Sequence, residues 1–389
     1  MYSRRRFVEK TSLLAGALLL DWEGLPTAQA QTPDTGPIVH RQFPLNSEPR
    51  PPRLGAGFIT SQTDFYIRNH GTIPSLSEAG HRVRVQIPGS AAAAMSLADL
   101  KGKFSLRSMN AVMQCAGNRR ADMGKFKSVS GDAWRVGAIS NAKWTGVGLG
   151  DVLRSLGVRD NPDLHVAFAA HDDIEEEGEH FKFGVSIPLA KAMAPESLLA
   201  FQMNGEALSA AHGFPLRVVI PGYAGVRSPK WLAAISVQDR PSDNHIQQKE
   251  YKLFPPDVTK QTVDLSKGPF INDMPLNSAI LLPSDDTTVA AGKSNVRGYA
   301  IATSARVDRV ELSSDGGKTW NRATLETHAD APWSWTPWTA QVNLPKGKHE
   351  LVVRAYDTAG GSQPATPAPI WNYAGYLSRS WHTVSIQAV

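Results

Sequence analysis

The stretch Gln114-Cys115-Ala116-Gly117-Asn118-Arg119-Arg120 contains the single cysteine of the 389-residue chain. Two small residues and an asparagine separate its thiol from a pair of arginines. Nearby positive charge lowers the pKa of a thiol and makes the sulfur a better metal ligand or nucleophile. Free cysteine is also among the residue types most often buried, so an inert core thiol fits this stretch equally well on its own. Whether this thiol is a metal ligand or nucleophile, or an inert core residue, depends on what the rest of the sequence indicates.

The composition is that of a globular protein rich in strands and loops. Hydrophobic residues make up 41% of the chain and charged residues 20%, with 32 glycines and 27 prolines. A chain of this length can form two or three domains with substantial cores. Behind the N-terminus no stretch is long and apolar enough to span a bilayer. One cysteine excludes an intramolecular disulfide and also a c-type haem, which needs Cys-x-x-Cys-His.

Residues 1–30 are predicted to be an export signal and play no part in the fold. Arg4, Arg5 and Arg6 precede a modest apolar run at 12–20, and Ala-Gln-Ala at 28–30 offers the small residues that a signal peptidase needs. The order is similar to that of twin-arginine signals, whose cargo folds before crossing the membrane. An ordinary basic N-terminus is the alternative. We therefore expect a periplasmic protein, exported by the twin-arginine route.

The charge of the chain gives no sign of a nucleic-acid partner. The formal net charge is +5, and residues 1–30 account for about one unit of it. No Lys/Arg-rich run follows that would form a basic stripe. Nucleic-acid binding is therefore not expected.

Patterns of alternation and capping predict short local elements. Strands are predicted at 82–87 and 165–170, and helices at 96–103 and 149–156. The Pro-rich segment 31–60 is predicted to form an extended arm, and the acidic segment 171–177 a solvated loop. These predictions describe a chain of mixed α and β structure.

Two further segments carry groups suited to an anionic ligand. Residues 64–71 predict a strand that delivers Arg68, Asn69 and His70 to a loop, although a surface turn is the ordinary alternative. Residues 212–225 predict a buried strand bounded by turns, with donors suited to a phosphate at 212, 217, 228 and 230. Neither GxGxxG nor a P-loop is present, which disfavours a nucleotide.

From about residue 270 the pattern changes to short alternating strands. They are predicted at 295–301, 307–313, 319–323, 335–342 and 349–356, with turns at Asp-Gly-Gly and Leu-Pro-Lys-Gly. This spacing is typical of an immunoglobulin-like β-sandwich.

The motif Cys-Ala-Gly-Asn-Arg-Arg at 115–120, Arg-Asn-His at 68–70 and the segment 212–232 closely resemble the sulfite oxidase family. The resemblance covers nearly all of residues 60–389. It implies an α+β fold, with a sulfite-oxidase-type molybdopterin (molybdenum-pterin) catalytic domain over 31–265 and an immunoglobulin-like dimerisation domain over 270–389. The cofactor would be molybdenum with molybdopterin, and no haem is expected in this chain.

The same resemblance assigns roles to individual residues. Cys115 would coordinate molybdenum, since soft sulfur ligands suit a redox metal. The residues that would contact the pterin are Tyr66, Arg68, Asn69, His70, Asp172, His212, Arg217, Ser228 and Lys230. The residues on the substrate side would be Arg68, Arg120, Trp134 and Tyr251, where arginine supplies a fixed fork of charge-assisted donors to a dianion. Trp144 is expected to be a plain core residue.

The activity implied is oxidation of sulfite to sulfate, with electrons passed to a periplasmic c-type cytochrome by a homodimer. A related molybdenum oxidoreductase acting on another small substrate, such as a sulfoxide, is the alternative. A binding or assembly protein that carries no molybdenum is a third possibility. One departure concerns the substrate: vertebrate sulfite oxidases have Asn-Leu-Arg-Gly where this chain reads Asn-Tyr-Ala-Gly at 372–375, so Arg379 or another basic group would have to replace the missing arginine.

Overall fold

The computed structural model describes residues 36–389, so the predicted export signal lies outside the described part of the chain. The N-terminal strands are β1 (Ile38–Arg41), β2 (Asn46–Glu48), β3 (Arg82–Gln86), β4 (Ala93–Ser96), β5 (Leu106–Gln114), β6 (Ile139–Gly148), β7 (His165–Glu176), β8 (Glu179–Pro188), β9 (Leu198–Met203), β10 (Glu206–Ala207), β11 (Arg217–Val219) and β12 (Leu232–Gln238). The helices are α1 (Pro51–Leu54), α2 (Leu97–Lys103), α3 (Arg120–Phe126), α4 (Leu149–Ser155), α5 (Leu189–Met193) and α6 (His245–Lys249), with 3-10 turns at Ala210–His212, Gly225–Arg227 and Ala368–Ile370. Over residues 36–389 no helix has the length and hydropathy needed to cross a bilayer.

Two sheets form the framework of the N-terminal part. One has the order β4-β3-β12-β7-β8, and the other runs β10-β9-β6-β5 with β11 paired to β9. Burial alternates along β3, where Val83 and Val85 are buried and their neighbours are exposed, as a half-buried strand requires. Helix α2 begins at a capping box, in which Ser96 and Asp99 each satisfy the other's backbone N–H. The predicted strand at 82–87 and helices at 96–103 and 149–156 therefore coincide with β3, α2 and α4.

The C-terminal part is built from two further sheets. Its strands are β13 (Asn277–Leu282), β14 (Thr287–Val289), β15 (Gly292–Ile301), β16 (Val307–Ser313), β17 (Asn321–Arg322), β18 (Thr324–Leu325), β19 (Thr336–Leu344), β20 (Gly347–Asp357) and β21 (His382–Ala388). The sheets have the orders β13-β15-β19-β18 and β14-β21-β20-β16-β17. Buried side chains of both meet in one core, for example Val296 and Trp338 with Val310 and Val353. The five strands predicted from the sequence correspond to β15, β16, β17, β19 and β20, whereas β13, β14, β18 and β21 were not predicted. The immunoglobulin-like assignment stays a prediction.

Three local predictions were wrong. Of the segment 31–60, the described residues 36–60 are no extended arm, because β1 and β2 form a hairpin and buried Glu48 accepts hydrogen bonds from the N–H groups of Arg135 and Gly137. Residues 171–176 continue β7: residues 173–176 pair with β8, and the stretch 171–175 alternates between less and more exposed side chains. Residues 64–71 make a single bridge, from Ile67 to Ser47, where a strand was expected.

The two parts join through a shared apolar cluster. It contains Val112 and Ile139 of the N-terminal sheet together with Leu281, Tyr299 and Trp335 of the C-terminal part. Strands β5 and β6 are therefore covered by the C-terminal sheets at the end where β5 delivers the cysteine loop.

Candidate active site

Eleven of the thirteen site residues predicted from the sequence line one cavity. With its open mouth, this cavity encloses about 650 Å³. The eleven are Tyr66, Arg68, Asn69, His70, Cys115, Asp172, His212, Arg217, Ser228, Lys230 and Tyr251. They come from the segment that precedes β3, the loop after β5, the middle of β7, the start of β11 and the segments that flank it, and the chain after α6. The fold thus gathers residues up to about 185 positions apart.

Cys115 lies where β5 ends and the chain turns towards α3. Its N–H donates to the carbonyl of Ala138 at 2.9 Å, and its Sγ accepts from the N–H of Gly117 at 3.4 Å. The thiol is 6% exposed. Burial raises its pKa, and the charges of Arg120 and Arg68 oppose that rise only in part. The expectation that adjacent arginines lower the pKa of the thiol is therefore wrong for the free thiol. Loss of hydration raises this pKa by more than the arginine charges lower it.

Two cations, buried Arg217 and half-buried Lys230, dominate one wall of the cavity. Arg217 donates to the carbonyls of His212 and Ser228, both at 3.0 Å. Nζ of Lys230 donates to the carbonyl of Ala211 at 2.8 Å and also bonds the Asn69 side chain. Burial lowers the pKa of Arg217 to about 10 and that of Lys230 well below its usual value. Such desolvated cations are stabilised by an anion placed between them.

His212 on the same wall is held neutral. Burial, reinforced by Lys230, lowers its pKa to about 3. Its Nε2 lies 2.9 Å from the Gln62 carbonyl and therefore donates to it, because a carbonyl oxygen only accepts. This leaves Nδ1 of the ring as an acceptor.

Two polar atoms in the cavity have no partner within the protein. Nδ2 of Asn69 and Oδ1 of Asp172 are both buried and unbonded. Burial raises the pKa of Asp172 to about 6, with Lys230 opposing it. An orphaned donor and an orphaned acceptor beside these cations fit a ligand that has anionic oxygens and also ring N–H groups. A phosphate-bearing pterin has both, so these residues fit the expected cofactor.

Tyr251 closes the cavity on the side of the third cation, Arg68. The tyrosine hydroxyl lies 2.7 Å from Nε2 of His70, and its ring stacks on Tyr376 with 5.2 Å between centroids. The residue is 3% exposed and has a φ of 49°, a conformation that a non-glycine residue adopts only under strong local constraint. Burial raises the pKa of the phenol well above its usual value, so the hydroxyl keeps its proton and can donate.

Arg120 and Trp134 do not line this cavity. Arg120 borders an open cleft beside α3, where it donates to the carbonyls of Ala374 at 2.9 Å and Asp132 at 3.0 Å. A Cβ atom on Gly375 would lie 2.5 Å from the Arg120 side chain, so the glycine leaves room for it. Trp134 is fully buried behind Tyr66, with 6.5 Å between ring centroids.

Ala374 itself therefore contributes a carbonyl where vertebrate enzymes have an arginine side chain. Arg379, the suggested replacement, is not among the residues that line the cavity. Trp144 is fully buried and donates to the Ala111 carbonyl at 3.1 Å, which confirms it as a core residue.

Sequence reasoning missed several residues of the cavity wall. Met113 accepts from Arg217 at 2.9 Å through its sulfur, and Phe183 packs on His70 with 5.3 Å between centroids. Both lie in ordinary apolar strands, which carry no local signal of a site. Trp231 follows Lys230 directly and bonds the Ala210 carbonyl through Nε1 at 2.8 Å, so its position in a recognised motif could have indicated it.

Comparison with known proteins agrees with this geometry. The profile of the oxidoreductase molybdopterin binding domain matches residues 70–246, and that of the Mo-co oxidoreductase dimerisation domain matches residues 268–389. The described part thus consists of a molybdopterin-binding oxidoreductase domain followed by a dimerisation domain.

Individual relatives extend the match over most of the chain. The chain is 42% identical over 361 residues to mitochondrial sulfite oxidase of Rattus norvegicus, covering 90% of this chain but 65% of the rat protein. With sulfite oxidase of Arabidopsis thaliana it shares 37% identity over 389 residues, covering 93% and 97% of the two chains. The sulfane dehydrogenase SoxCD of Paracoccus pantotrophus has the same fold, with a TM-score of 0.74, 23% identity and coverage of 94% and 92%. On these grounds the chain belongs to the sulfite oxidase family of molybdopterin-binding oxidoreductases.

Proposed function

We propose that this chain oxidises sulfite to sulfate at a molybdenum-pterin centre held in the cavity. The observation that carries the proposal is the donor set: one buried thiol, one buried and two half-buried cations, and two unpartnered polar atoms face the same space. Identities of 37% and 42% to two sulfite oxidases support the same substrate.

Different residues of the cavity would hold different parts of the cofactor. Cys115 would supply a thiolate to the metal, because a soft, polarisable ligand suits a metal that changes oxidation state. Arg217, Lys230, His212 and Ser228 would hold the phosphate. Asn69 and Asp172, with Tyr66 and His70 beside them, would hold the ring system through the atoms that now lack partners. When bound, the group supplies the two-electron oxidation of the substrate.

The protein itself binds and orients the sulfite dianion. Arg68 is half-buried and presents a permanent positive charge inside the cavity, which compensates the dianion in a site of low dielectric. The protonated hydroxyl of Tyr251 borders the space for the substrate, and His70 Nε2, 2.7 Å away, fixes its position. Arg120 adds positive potential from behind the cysteine loop, and Trp134 supports Tyr66 from the core.

The partners follow from the same proposal. Electrons would leave one at a time to a periplasmic c-type cytochrome, because a chain with one cysteine cannot bind such a haem itself. Residues 270–389 would form a homodimer, which the matched dimerisation profile supports. The predicted twin-arginine signal supports export of the folded, cofactor-loaded protein to the periplasm.

A second candidate, oxidation or reduction of another small substrate such as a sulfoxide, is favoured by one observation. Ala374 stands where vertebrate sulfite oxidases place an arginine, and its carbonyl accepts from Arg120 rather than binding an anion. Fewer cations in the substrate pocket weaken selection for a dianion.

The test is sulfite-dependent reduction of ferricyanide by purified protein of known molybdenum content. Rapid reduction that scales with molybdenum content supports the proposal. Full molybdenum content without turnover on sulfite contradicts the substrate and directs assays to sulfoxides. Protein that carries no molybdenum after expression with an adequate supply contradicts the cofactor, and would indicate a binding or assembly protein.

A further inference from the structure

A row of acid-base groups leads from the cavity to the protein surface. The Tyr251 hydroxyl lies 2.7 Å from Nε2 of His70, and the same nitrogen lies 3.6 Å from Oε2 of Glu250. The carboxylates of Glu250 and Glu176 and the ring of His245 lie together, with one ligand atom of each within 4.8 Å of the others. Tyr251 is buried, whereas Glu176 is exposed. The row therefore connects the inside of the cavity with solvent.

The groups in this row are ones that can exchange protons. Two carboxylates at such a distance resist double ionisation and share a proton. Burial raises the pKa of Glu176 and of Glu250, and for Glu176 the neighbouring carboxylate adds to the rise. Burial, with help from Arg68, lowers the pKa of His70, so its imidazole is neutral and can accept a proton. Oε1 of Glu250 is buried without a hydrogen-bond partner.

Other charges face the row from neighbouring elements. Arg68 and Arg120 act on Glu250 from the cavity side and from α3, and both favour its ionised form. His245, at the start of α6, faces both carboxylates, while its Nδ1 lies 2.9 Å from Glu179. Lys249 is drawn away from the row by its 2.8 Å ion pair with Glu179. The more distant charges that act on His70 are those of Lys230 and Arg41.

We propose that Glu250 and Glu176 carry protons from the cavity to solvent, receiving them through Tyr251 and His70. The relay rests on the proposed function, in which sulfite and water give sulfate, two protons and two electrons, and the electrons go to a one-electron acceptor. The Tyr251 hydroxyl passes its proton to Nε2 of His70 as it takes one from the cavity. A small rotation of the imidazole and of the glutamate's broad terminal torsion turns that proton to Glu250. Glu176 then releases it to water.

The first test uses the exposed end of the relay. Glu176→Gln removes the last titrating group without disturbing the core. With sulfite and ferricyanide at low buffer concentration, we expect turnover to fall by about tenfold or more, with a larger solvent deuterium effect. Raising the concentration of a small buffer whose pKa matches the assay pH should restore the rate, because the buffer replaces the missing carboxylate. The matched control is Glu175→Gln, an exposed neighbour on the same strand, which should behave as wild type.

A second measurement does not depend on turnover. In an Asp172→Asn background, which removes the other carboxyl whose pKa burial raises to about 6, infrared spectra should contain the band of a protonated carboxylic acid that persists above the pH at which isolated glutamates ionise. Glu176→Gln and Glu250→Gln should each remove this band or shift its titration to lower pH, and Glu175→Gln should retain it. Loss of the band in both variants supports the shared proton even if sulfite proves to be the wrong substrate.

Three results would overturn the relay. One is turnover at the wild-type rate by both Glu176→Gln and Glu250→Gln at low buffer concentration. Another is a loss of turnover in Glu176→Gln that added buffer does not restore. The third is a divalent cation retained in stoichiometric amount by wild type but not by Glu176→Gln. A cation bound by Glu176, His245 and Glu250 would keep both carboxylates ionised and unable to carry protons.

Discussion

At the scale of single residues, Asp172 shows how a binding site lowers the stability of the protein that contains it. Its carboxylate is 3% exposed and one oxygen has no partner. The folded protein holds its pKa at about 6, against an ordinary value of 3.8. Because the folded state binds the proton more tightly than the unfolded state, the stability that this carboxyl contributes is fully present below about pH 4. That contribution is lost as the pH rises through about 6.

Asp172→Asn should therefore stabilise the cofactor-free protein near neutral pH. The pKa difference corresponds to roughly 3 kcal/mol at pH 7 and to almost nothing at pH 4. We expect thermal unfolding of the variant to occur at a higher temperature than that of wild type at pH 7, with the difference vanishing towards pH 4. The same variant should retain less cofactor, because the amide offers one neutral acceptor oxygen and a donor where the carboxylate offers two charged acceptors.

Asp173→Asn is the matched control for this experiment. Its carboxylate is exposed and lies 2.6 Å from Lys182. Removing that surface ion pair should change stability by less than about 1 kcal/mol. Equal stability of Asp172→Asn and wild type at pH 7 would contradict a buried, destabilising charge at position 172.

Cys115→Ser separates the chemical role of the thiol from its structural role. The sulfur makes one weak bond inside the protein, to the N–H of Gly117, so the free energy of unfolding should change by less than about 1 kcal/mol. A serine hydroxyl is a poor ligand for a soft metal, so molybdenum content and sulfite oxidation should both collapse. Metal analysis and calorimetry on the same sample measure the two effects. Cys115→Ala should behave alike, and turnover at the wild-type rate in either variant would exclude the thiolate as a ligand.

At the scale of elements, the 3-10 turn Gly225–Arg227 packs directly against the cavity wall. A Cβ atom on Gly225 would lie 2.7 Å from the Tyr66 hydroxyl and 3.3 Å from the Gln114 carbonyl. Gly225→Ala should therefore displace Tyr66, reduce cofactor retention and cost about 1–3 kcal/mol of stability. Tyr66→Phe in the same chain removes the clashing oxygen, and the double variant should recover part of the loss.

The control for this steric argument is another glycine on a helix. Gly102 in α2 is exposed, and nothing lies within 4 Å of the position that its Cβ would take. Gly102→Ala should be neutral or should stabilise the protein by about 0.5–1 kcal/mol. If Gly225→Ala changed the stability no more than Gly102→Ala does, the predicted clash of the new Cβ atom with Tyr66 would be contradicted.

Some elements of this fold are recognisable from the sequence alone, and others are not. The cysteine loop and the 212–232 segment are contiguous, so their residue types can be recognised locally, and strands such as β16 alternate in the usual way. The hairpin β1–β2 could not be predicted, because its buried Glu48 is satisfied by N–H groups 87 and 89 positions further along the chain. The acidic end of β7 was missed for a related reason. Asp173, Glu175 and Glu176 are tolerated in the strand because they are exposed, while Asp172 faces the cavity. Which side chains are exposed depends on the register with β8.

At the scale of the whole molecule, the residues after Cys115 tie the catalytic part to the C-terminal sheets. Arg119 is fully buried and donates to the Asn277 side chain at 2.8 Å and to the Ser278 carbonyl at 3.0 Å. Its Nε also pairs with Asp122 at 2.8 Å. Asn118 donates to the Tyr299 hydroxyl at 3.0 Å. The cysteine loop is thus fixed from the side opposite the cavity.

Arg119→Ala should test whether this connection supports the site from a distance. Removing one partner of a buried ion pair leaves Asp122 uncompensated, so we expect a loss of about 3–5 kcal/mol. Arg53→Ala is the control, because that arginine is 52% exposed beside Asp64 and should cost less than about 1 kcal/mol. Calorimetry should show a lower unfolding temperature for the Arg119 variant, because its hydrogen bonds to Asn277 and Ser278 are gone while that of Asn118 to Tyr299 remains. Cofactor retention should fall as well, because the loop that carries Cys115 loses its anchor. An Arg119 variant as stable as the Arg53 variant, with full cofactor, would show that the C-terminal sheets do not hold the loop.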